Sequence, residues 1–393
     1  MDIMKRVTRA LRAEVAVAIV AVLLATGSAS AFAQDIVLGQ TTSTTSPIVG
    51  ALSRDYNEGI ALAIARTNAG GGLRGHRVRL VSYDDNYDAS KTVPLVQQLV
   101  EKENAIALVG VMGSQPTLKL ANDGVLGHYH LALFGPMTGL QSALSGENVF
   151  PIRSSFEDEV RAMMTHCASL GRRNVLFLFY DAGAGPQLAR LAPAMARETG
   201  VTLLSATPFP VIADPARQRD AVRRALAGID RRPDAVILLA IGHPHSEALK
   251  VLRERFGQGM SGMAVYSLGQ VDPVSLGHEV GDEQAWGVML SQVMPMPGTV
   301  ALEVVREFDA DRRRFAPSVA ASYAVLEGYI CGRVTLEVVR RANAFTREAV
   351  LATAEQSGQL DVGGFRVLYG IQQRRSVNPI ELTMIDRNGG LVH

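Results

Sequence analysis

The sequence predicts an α/β protein built as two doubly wound parallel-sheet lobes. Three observations carry this. Apolar strands alternate with amphipathic helices from Gln34 onward, the same plan begins again near residue 150, and the 360 residues after the N-terminal segment exceed what one core usually holds. The apolar runs Ala105 to Val109, Val175 to Tyr180 and Ala235 to Ile241 show no alternation, as parallel strands covered on both faces require.

At the N-terminus, Lys5, Arg6, Arg9 and Arg12 precede the apolar run Val15 to Ala25 and a small-residue stretch ending Ala31-Phe32-Ala33. A basic region, a short apolar core and an A-x-A site make a secretory signal peptide over residues 1–33, with cleavage expected before Gln34. The apolar core falls well short of the roughly 20 residues a membrane-spanning helix needs. No cysteine near the site offers a lipid anchor, so an exported mature chain without stable membrane insertion is expected. Cleavage removes four basic and two acidic residues from totals of 39 and 38, leaving 35 against 36 and a net charge of −1. That balance carries no nucleic-acid footprint. Cys167 and Cys331 sit in apolar helical patterns of different predicted lobes, so two buried free thiols are expected although export permits a disulfide.

Taken in order, Asp35 to Gln40 is a strand, and the polar loop Thr41 to Pro47 leads to a helix with Leu52, Tyr56, Ile60 and Ile64 at helical spacing. Asn68-Ala-Gly-Gly-Gly72 stops it. Val78 to Tyr83 is the next strand, followed by Asp84-Asp85-Asn86-Tyr87-Asp88 and a helix from Ser90 to Glu103. After Ala105 to Val109 come a helix from Pro116 to Leu126, a strand from Leu131 to Phe134 and the loop Gly135-Pro-Met-Thr-Gly139. This βαβαβαβ series gives a parallel sheet with helices on both faces.

The second lobe repeats the plan with a strand at Val149 to Arg153, a helix at Glu157 to Leu170, the strand Val175 to Tyr180 and a helix from Pro186 to Glu198. Strands near Val201 to Phe209, at Ala235 to Ile241 and at Met263 to Leu268 follow, and Asp214-Pro215 and Asp272-Pro273 open further helices as N-cap and first-turn pairs. Trp286 to Met294 reads as a strand leaving this lobe, and long helices occupy Thr299 to Arg313 and Ser318 to Arg341. Phe365 to Tyr369 and Ile380 to Ile385, around Asn388-Gly-Gly390, read as a late pair of strands.

The stretch Ala105 to Thr117 is the most informative. Gly110 and Gly113 allow a sharp turn after the strand, and Pro116 suits a first helical turn, leaving Ser114 or Gln115 near the N-cap. Unpaired amides and the helix dipole then converge near Ser114, a seat for an anion such as a carboxylate beyond the carboxyl end of a strand. The same residues also read as an ordinary βα turn with a solvated helix end. Other signals are weaker. Gly70-Gly-Gly-Leu-Arg-Gly75 follows a helix and precedes a strand, the reverse of a dinucleotide fingerprint, and Gly183-Ala-Gly185 has Leu188 at the third glycine position. His243-Pro-His245 has no cysteine or carboxylate at a ligand spacing, and no nucleophile pairs with a base, so neither a metal, a cofactor nor an enzymatic activity is expected. Asp84-Asp85 reads either as a contact to a cationic ligand or as a cap of the following turn.

The segments Asp35 to Asn68, Ala69-Gly-Gly-Gly-Leu-Arg-Gly75, Val81-Ser-Tyr-Asp-Asp85 and Ala107-Leu-Val-Gly-Val-Met-Gly-Ser114, together with the signal peptide, resemble the periplasmic leucine/isoleucine/valine-binding protein family. Phe134-Gly-Pro-Met-Thr-Gly139, Val149-Phe-Pro-Ile-Arg153, Gly171-Arg-Arg-Asn-Val175 and Ser322-Tyr-Ala-Val-Leu-Glu-Gly-Tyr329 look like one large branch of it. The resemblance implies a type I periplasmic binding protein fold, two lobes joined by three crossovers, with lobe 1 at 34–153 plus 290–368 and lobe 2 at 154–289 plus 369–393.

It also implies a periplasmic substrate-binding component that delivers a small carboxylate, either an amino acid or a related organic or aromatic acid, to the permease subunits of an ABC importer; a monomer is expected because nothing in the sequence demands more. A periplasmic sensor presenting its closed form to a membrane receptor is the alternative. The family's carboxylate-binding serine maps onto Ser114, beside Gln115, and its second-loop contacts map onto Pro136, Met137 and Thr138. Asp181, Ala184, His243 and Gln270 are expected on the opposite wall, with Tyr323 closing one end. Ala184 stands where the family has an aromatic contact, and Gly269 and Gln270 stand where amino-acid binders offer an acid to the ligand ammonium. Glu157 and Asp158 near the first crossover are the substitutes weighed for that acid. These departures put α-amino-acid specificity in question.

Overall fold

The structure, a computed structural model, describes residues 33–257, 262–371 and 373–392. The expected signal peptide lies outside them except for Ala33. The first sheet contains β1 (Ala33–Thr42), β2 (His76–Asp84), β3 (Ala107–Val109), β4 (Leu133–Phe134) and β5 (Val149–Phe150) in the order β2-β1-β3-β4-β5, every pairing parallel. The second begins with β6 (Asn174–Tyr180), β7 (Thr202–Phe209), β8 (Ala235–Leu239), β9 (Ala264–Leu268) and β10 (Val288–Gln292), parallel in the order β7-β6-β8-β9-β10. The two sheets thus share one strand order. Their central strands are fully buried, as the unbroken apolar runs require.

A small antiparallel sheet of β11 (Gly358–Val362), β12 (Phe365–Tyr369) and β13 (Arg374–Ser376) packs on the first lobe, where Tyr369 meets Phe150 edge-on and donates to the Pro151 carbonyl at 3.1 Å. Then β14 (Glu381–Ile385) extends the second sheet antiparallel to β10, and β15 (Leu391–Val392) pairs antiparallel to β14 at its edge. The late strands therefore both form, but β12 and β14 lie in different sheets and do not pair with each other. Asn388-Gly-Gly390 turns β14 into β15, with Asp386 accepting from the Asn388 and Gly390 amides.

The chain passes between the sheets three times, at 151–155, 293–302 and 377–380. The expected boundaries at 290 and 368 fall inside strands, because β10 stays bonded to β9 and β14, and β12 and β13 stay with β11. The helix expected from Pro116 to Leu126 runs instead as Ser114–Asn122 and Val125–His128, broken where Gly124 takes φ +67°. The long C-terminal helix begins at Tyr323, where the Ser322 hydroxyl accepts from the Val325 amide.

Helix Gly50–Ala69 lies against helix Tyr323–Arg341 at backbone contact. A Cβ on Gly59 would stand 2.0 Å from the Val325 carbonyl, and one on Gly328 the same distance from that of Tyr56. This close crossing accounts for two glycines inside helices, where each costs about 1 kcal/mol of propensity. Cys167 and Cys331 are both buried and unpaired, and burial pushes the Cys331 thiol up to about 12. No described helix is long and apolar enough to cross a membrane.

Candidate functional site

The loops after β3 and β4 are tied to each other. The Met137 amide donates to the Val111 carbonyl at 2.8 Å, and the Gly113 amide to that of Met137 at 3.2 Å. Gly113 holds φ +97°, and a Cβ there would meet the Tyr87 ring at 2.4 Å, so only glycine fits. The next residue opens helix Ser114–Asn122, and its hydroxyl lies 2.7 Å from that of Thr138. The Thr138 hydroxyl also accepts from the Leu140 amide at 3.1 Å. No described residue accepts from the amides of Ser114 or Gln115, leaving two donors and the positive end of the helix dipole beside two hydroxyls.

Ser114 faces a cavity of about 30 Å³ shared by both lobes. The first lobe contributes Leu52, Met112 and Met137, and the second contributes Tyr180, Leu188, Ile241 and Leu268. Tyr180 and Ile241 stand at the carboxyl ends of β6 and β8, the point at which the strand order reverses. Tyr87 meets Tyr180 across the cleft, and burial pushes the Tyr87 phenol up to about 12. At the rim, Gln115 donates to the Gly183 carbonyl at 3.5 Å and the Gln187 amide group to Ser142 at 3.0 Å, so the lobes are closed onto each other.

A second chamber of about 150 Å³ adjoins this cavity and shares Leu52, Met137, Ile241 and Gln270 with it. Tyr323 and Glu327 line it from the first lobe, His245 and Asp272 from the second. His245 is 1% exposed; its Nε2 lies 2.8 Å from the Ser267 hydroxyl, its Nδ1 has no partner, and burial pushes its pKa down to about 3. The ring is therefore neutral.

Behind the chamber, Arg153 donates to Glu159 at 2.9 Å and to Glu327 at 3.3 Å. Burial opposes the charge on Arg153, but the Glu327 and Glu159 carboxylates outweigh it and hold its pKa up. Burial raises the pKa of both glutamates, against the pull of Arg153.

Of the residues expected from sequence, Ser114, Met137, Ala184, Gln270 and Tyr323 line the two adjoining spaces. Thr138 supports Ser114 without reaching the wall, Pro136 accepts from the Thr138 amide, and Gln115 spans the rim. Asp181 is exposed, with its amide bonded to Phe209, and His243 lies 2.7 Å from the Ile212 carbonyl of its own lobe. Glu157 accepts from the Gln141 amide, and Asp158 pairs with Arg161; neither lines these spaces. Asp84 and Asp85 organise the loops around them: Asp85 accepts from Ser43, Thr92 and the Tyr87 amide. Sequence reasoning missed Tyr87, Tyr180, Ile241, Leu268 and His245. All but His245 stand at or just beyond the ends of strands, the signal that the strand-end rule offers.

Over residues 35–390 the sequence matches the periplasmic binding protein family. No curated protein matches it. Among solved structures it is similar to a substrate-binding periplasmic protein from Ralstonia solanacearum, 28% identical with a TM-score of 0.81, covering 91% of this chain and 99% of that one. It also resembles a possible leucine/isoleucine/valine-binding protein from Rhodopirellula baltica SH 1 (23% identical, TM-score 0.82, covering 92% and 97%). A third is a fatty acid ABC transporter substrate-binding protein from Thermomonospora curvata (16% identical, TM-score 0.75, covering 91% of each chain). The last two likenesses are of fold alone. With its type I fold, its paired lobes and a family match along nearly the whole described chain, this protein belongs to the periplasmic binding protein family, which binds solutes and is not enzymatic.

Proposed function

We propose that this chain is the substrate-binding component of a periplasmic ABC importer and that its ligand is a small carboxylate with an apolar body. The observation that carries the reading is the Ser114 hydroxyl, 2.7 Å from that of Thr138 at a helix N-terminus with free amides, facing a cavity walled by both lobes. A carboxylate there gains charge-assisted hydrogen bonds and the helix dipole. The apolar wall around it, from Leu52 and Met112 to Leu188 and Leu268, suits hydrocarbon once the lobes part to admit a ligand, since the closed space of about 30 Å³ holds about one water. Leucine and a fatty acid, the ligand types in the names of two similar proteins, both join a carboxylate to an aliphatic body.

Both walls touch the ligand only when the lobes are closed, so binding shifts the hinge equilibrium toward closure. Moving it from 1:99 to 99:1 takes roughly 5.5 kcal/mol of differential affinity, and a micromolar ligand supplies about 8 kcal/mol in all. The closed monomer then docks on the permease subunits. Thermal unfolding of residues 34–393, stripped of carried-over ligand by unfolding and refolding, tests this against amino acids, aromatic acids and aliphatic carboxylates. A ligand at a hundred times its Kd adds about 2.7 kcal/mol, a rise of several degrees. No shift with any carboxylate would overturn the reading.

A further inference from the structure

The second chamber carries an excess of negative charge. Asp55 and Glu327 line it from the first lobe and Asp272 and Glu279 from the second, and no lysine or arginine is among its described lining residues. Each carboxylate has one oxygen occupied: Asp55 by the Ser322 hydroxyl at 3.1 Å, Asp272 by the Ser275 amide at 2.7 Å, Glu279 by the Ser246 hydroxyl and Glu327 by Arg153 at 3.3 Å. The other oxygen of each has no donor among the described residues.

Two further observations point to a ligand. Glu327 is only 5% exposed, and it shares the single Arg153 guanidinium with Glu159, so two buried carboxyl groups have one cationic partner between them. Two residues that line the chamber, His245 and Tyr323, carry buried polar atoms, Nδ1 and Oη, that have no partner among the described residues. Unpaired charge and unsatisfied polar atoms are costly when buried, and a bound cation offsets that cost. Burial raises the pKa of Asp55, and the neighbouring Asp272 raises it further; a cation between them relieves this.

We propose that the second chamber binds an organic ammonium, so that the ligand of the cleft carries an amine at the end remote from its carboxylate. The inference rests on the carboxylate reading of the Ser114 end. Between the two ends lies the shared apolar wall of Leu52, Met137 and Ile241. An α-ammonium sits one carbon from its carboxylate and stays in the smaller cavity, whose described walls hold no acid. An ω-ammonium reaches the chamber, where Asp55 of the first lobe and Asp272 of the second are near enough to feel each other's charge. No three described His, Cys, Asp or Glu side chains converge as metal ligands would, which favours an ammonium over a metal ion. The amine also drives closure, because without it Asp55 and Asp272 repel across the cleft.

Calorimetric titration of the refolded chain 34–393 with hexanoate, 6-aminohexanoate and hexylamine tests this, using wild type, Asp272→Asn and Glu327→Gln. Asparagine keeps the N-cap role of Asp272, so that variant retains its helix. In wild type, 6-aminohexanoate is expected to bind at least about tenfold more tightly than hexanoate, and Asp272→Asn to erase the difference while leaving hexanoate unchanged. Equal affinity for the two acids overturns the ammonium chamber and leaves the carboxylate reading standing. Hexylamine binding that is lost in Asp272→Asn, with no gain from a carboxylate, keeps the chamber and overturns that reading. Binding by none of the three overturns both.

Discussion

The Arg153 guanidinium donates to the Glu159 carboxylate at 2.9 Å with neither side chain more than 1% exposed. Arg153 lies in the first passage between the sheets, Glu159 in the first helix of the second lobe and Glu327 in the long helix of the first, so the pairing spans the hinge. Removing the cation leaves two buried carboxylates facing each other. Breaking such a pair costs about 3–5 kcal/mol, so Arg153→Met should lower the stability measured by urea unfolding at pH 7 by that amount. Without Arg153, burial holds both carboxyl pKa values above their unfolded values. The folded variant therefore takes up protons first, and part of the loss returns at pH 5. An unchanged midpoint at pH 7 would contradict this role.

The crossing of helices Gly50–Ala69 and Tyr323–Arg341 is as close as two backbones allow. Gly328→Ala drives a methyl group into the Tyr56 carbonyl and should cost at least about 3 kcal/mol in urea unfolding. Gly228, with nothing within 4 Å of a built Cβ, is the control; alanine there should be close to neutral. Equal effects at both positions would mean that the helices separate without cost.

Burial holds the His245 imidazole at about 3, below its ordinary value near 6.5. As pH falls, the unfolded chain binds this proton first, so stability present above pH 6.5 drains away as pH drops toward 3. At pH 5 the loss amounts to about 2 kcal/mol. The raised carboxylates Asp55, Glu159 and Glu327 act in the opposite sense, so the comparison is between wild type and His245→Gln, each unfolded in urea at pH 7 and pH 5. The variant should lose about 2 kcal/mol less on acidification. Parallel shifts in both proteins would contradict a neutral buried ring.

The strand and helix order was legible because parallel strands buried on both faces are written as unbroken apolar runs, as in Val175 to Tyr180 and Ala235 to Ile241. The Ser114 end was legible because a glycine turn and a helix start are local features. The facing wall was not. Tyr180, Leu188 and Leu268 look in sequence like any core residue, and only their position at the cleft makes them wall. Asp55 and Glu327 lie in distant segments, and their convergence depends on the packing of two helices through Gly59 and Gly328. His243 and His245 open one helix, yet one turns to the Ile212 carbonyl and the other to Ser267, a choice set by tertiary packing.

The proposed Ser114 seat holds a negative charge, and comparing acids with their own amides isolates that charge. The refolded chain 34–393, titrated calorimetrically with hexanoate against hexanamide and benzoate against benzamide, should bind at least one acid. Loss of a hydrogen bond to a charged group costs about 1.5–3 kcal/mol, so Ser114→Ala should weaken that acid roughly 10- to 150-fold and leave its amide unaffected. Acid and amide binding equally in both pairs, or Ser114→Ala leaving the acid's affinity unchanged, would contradict the account.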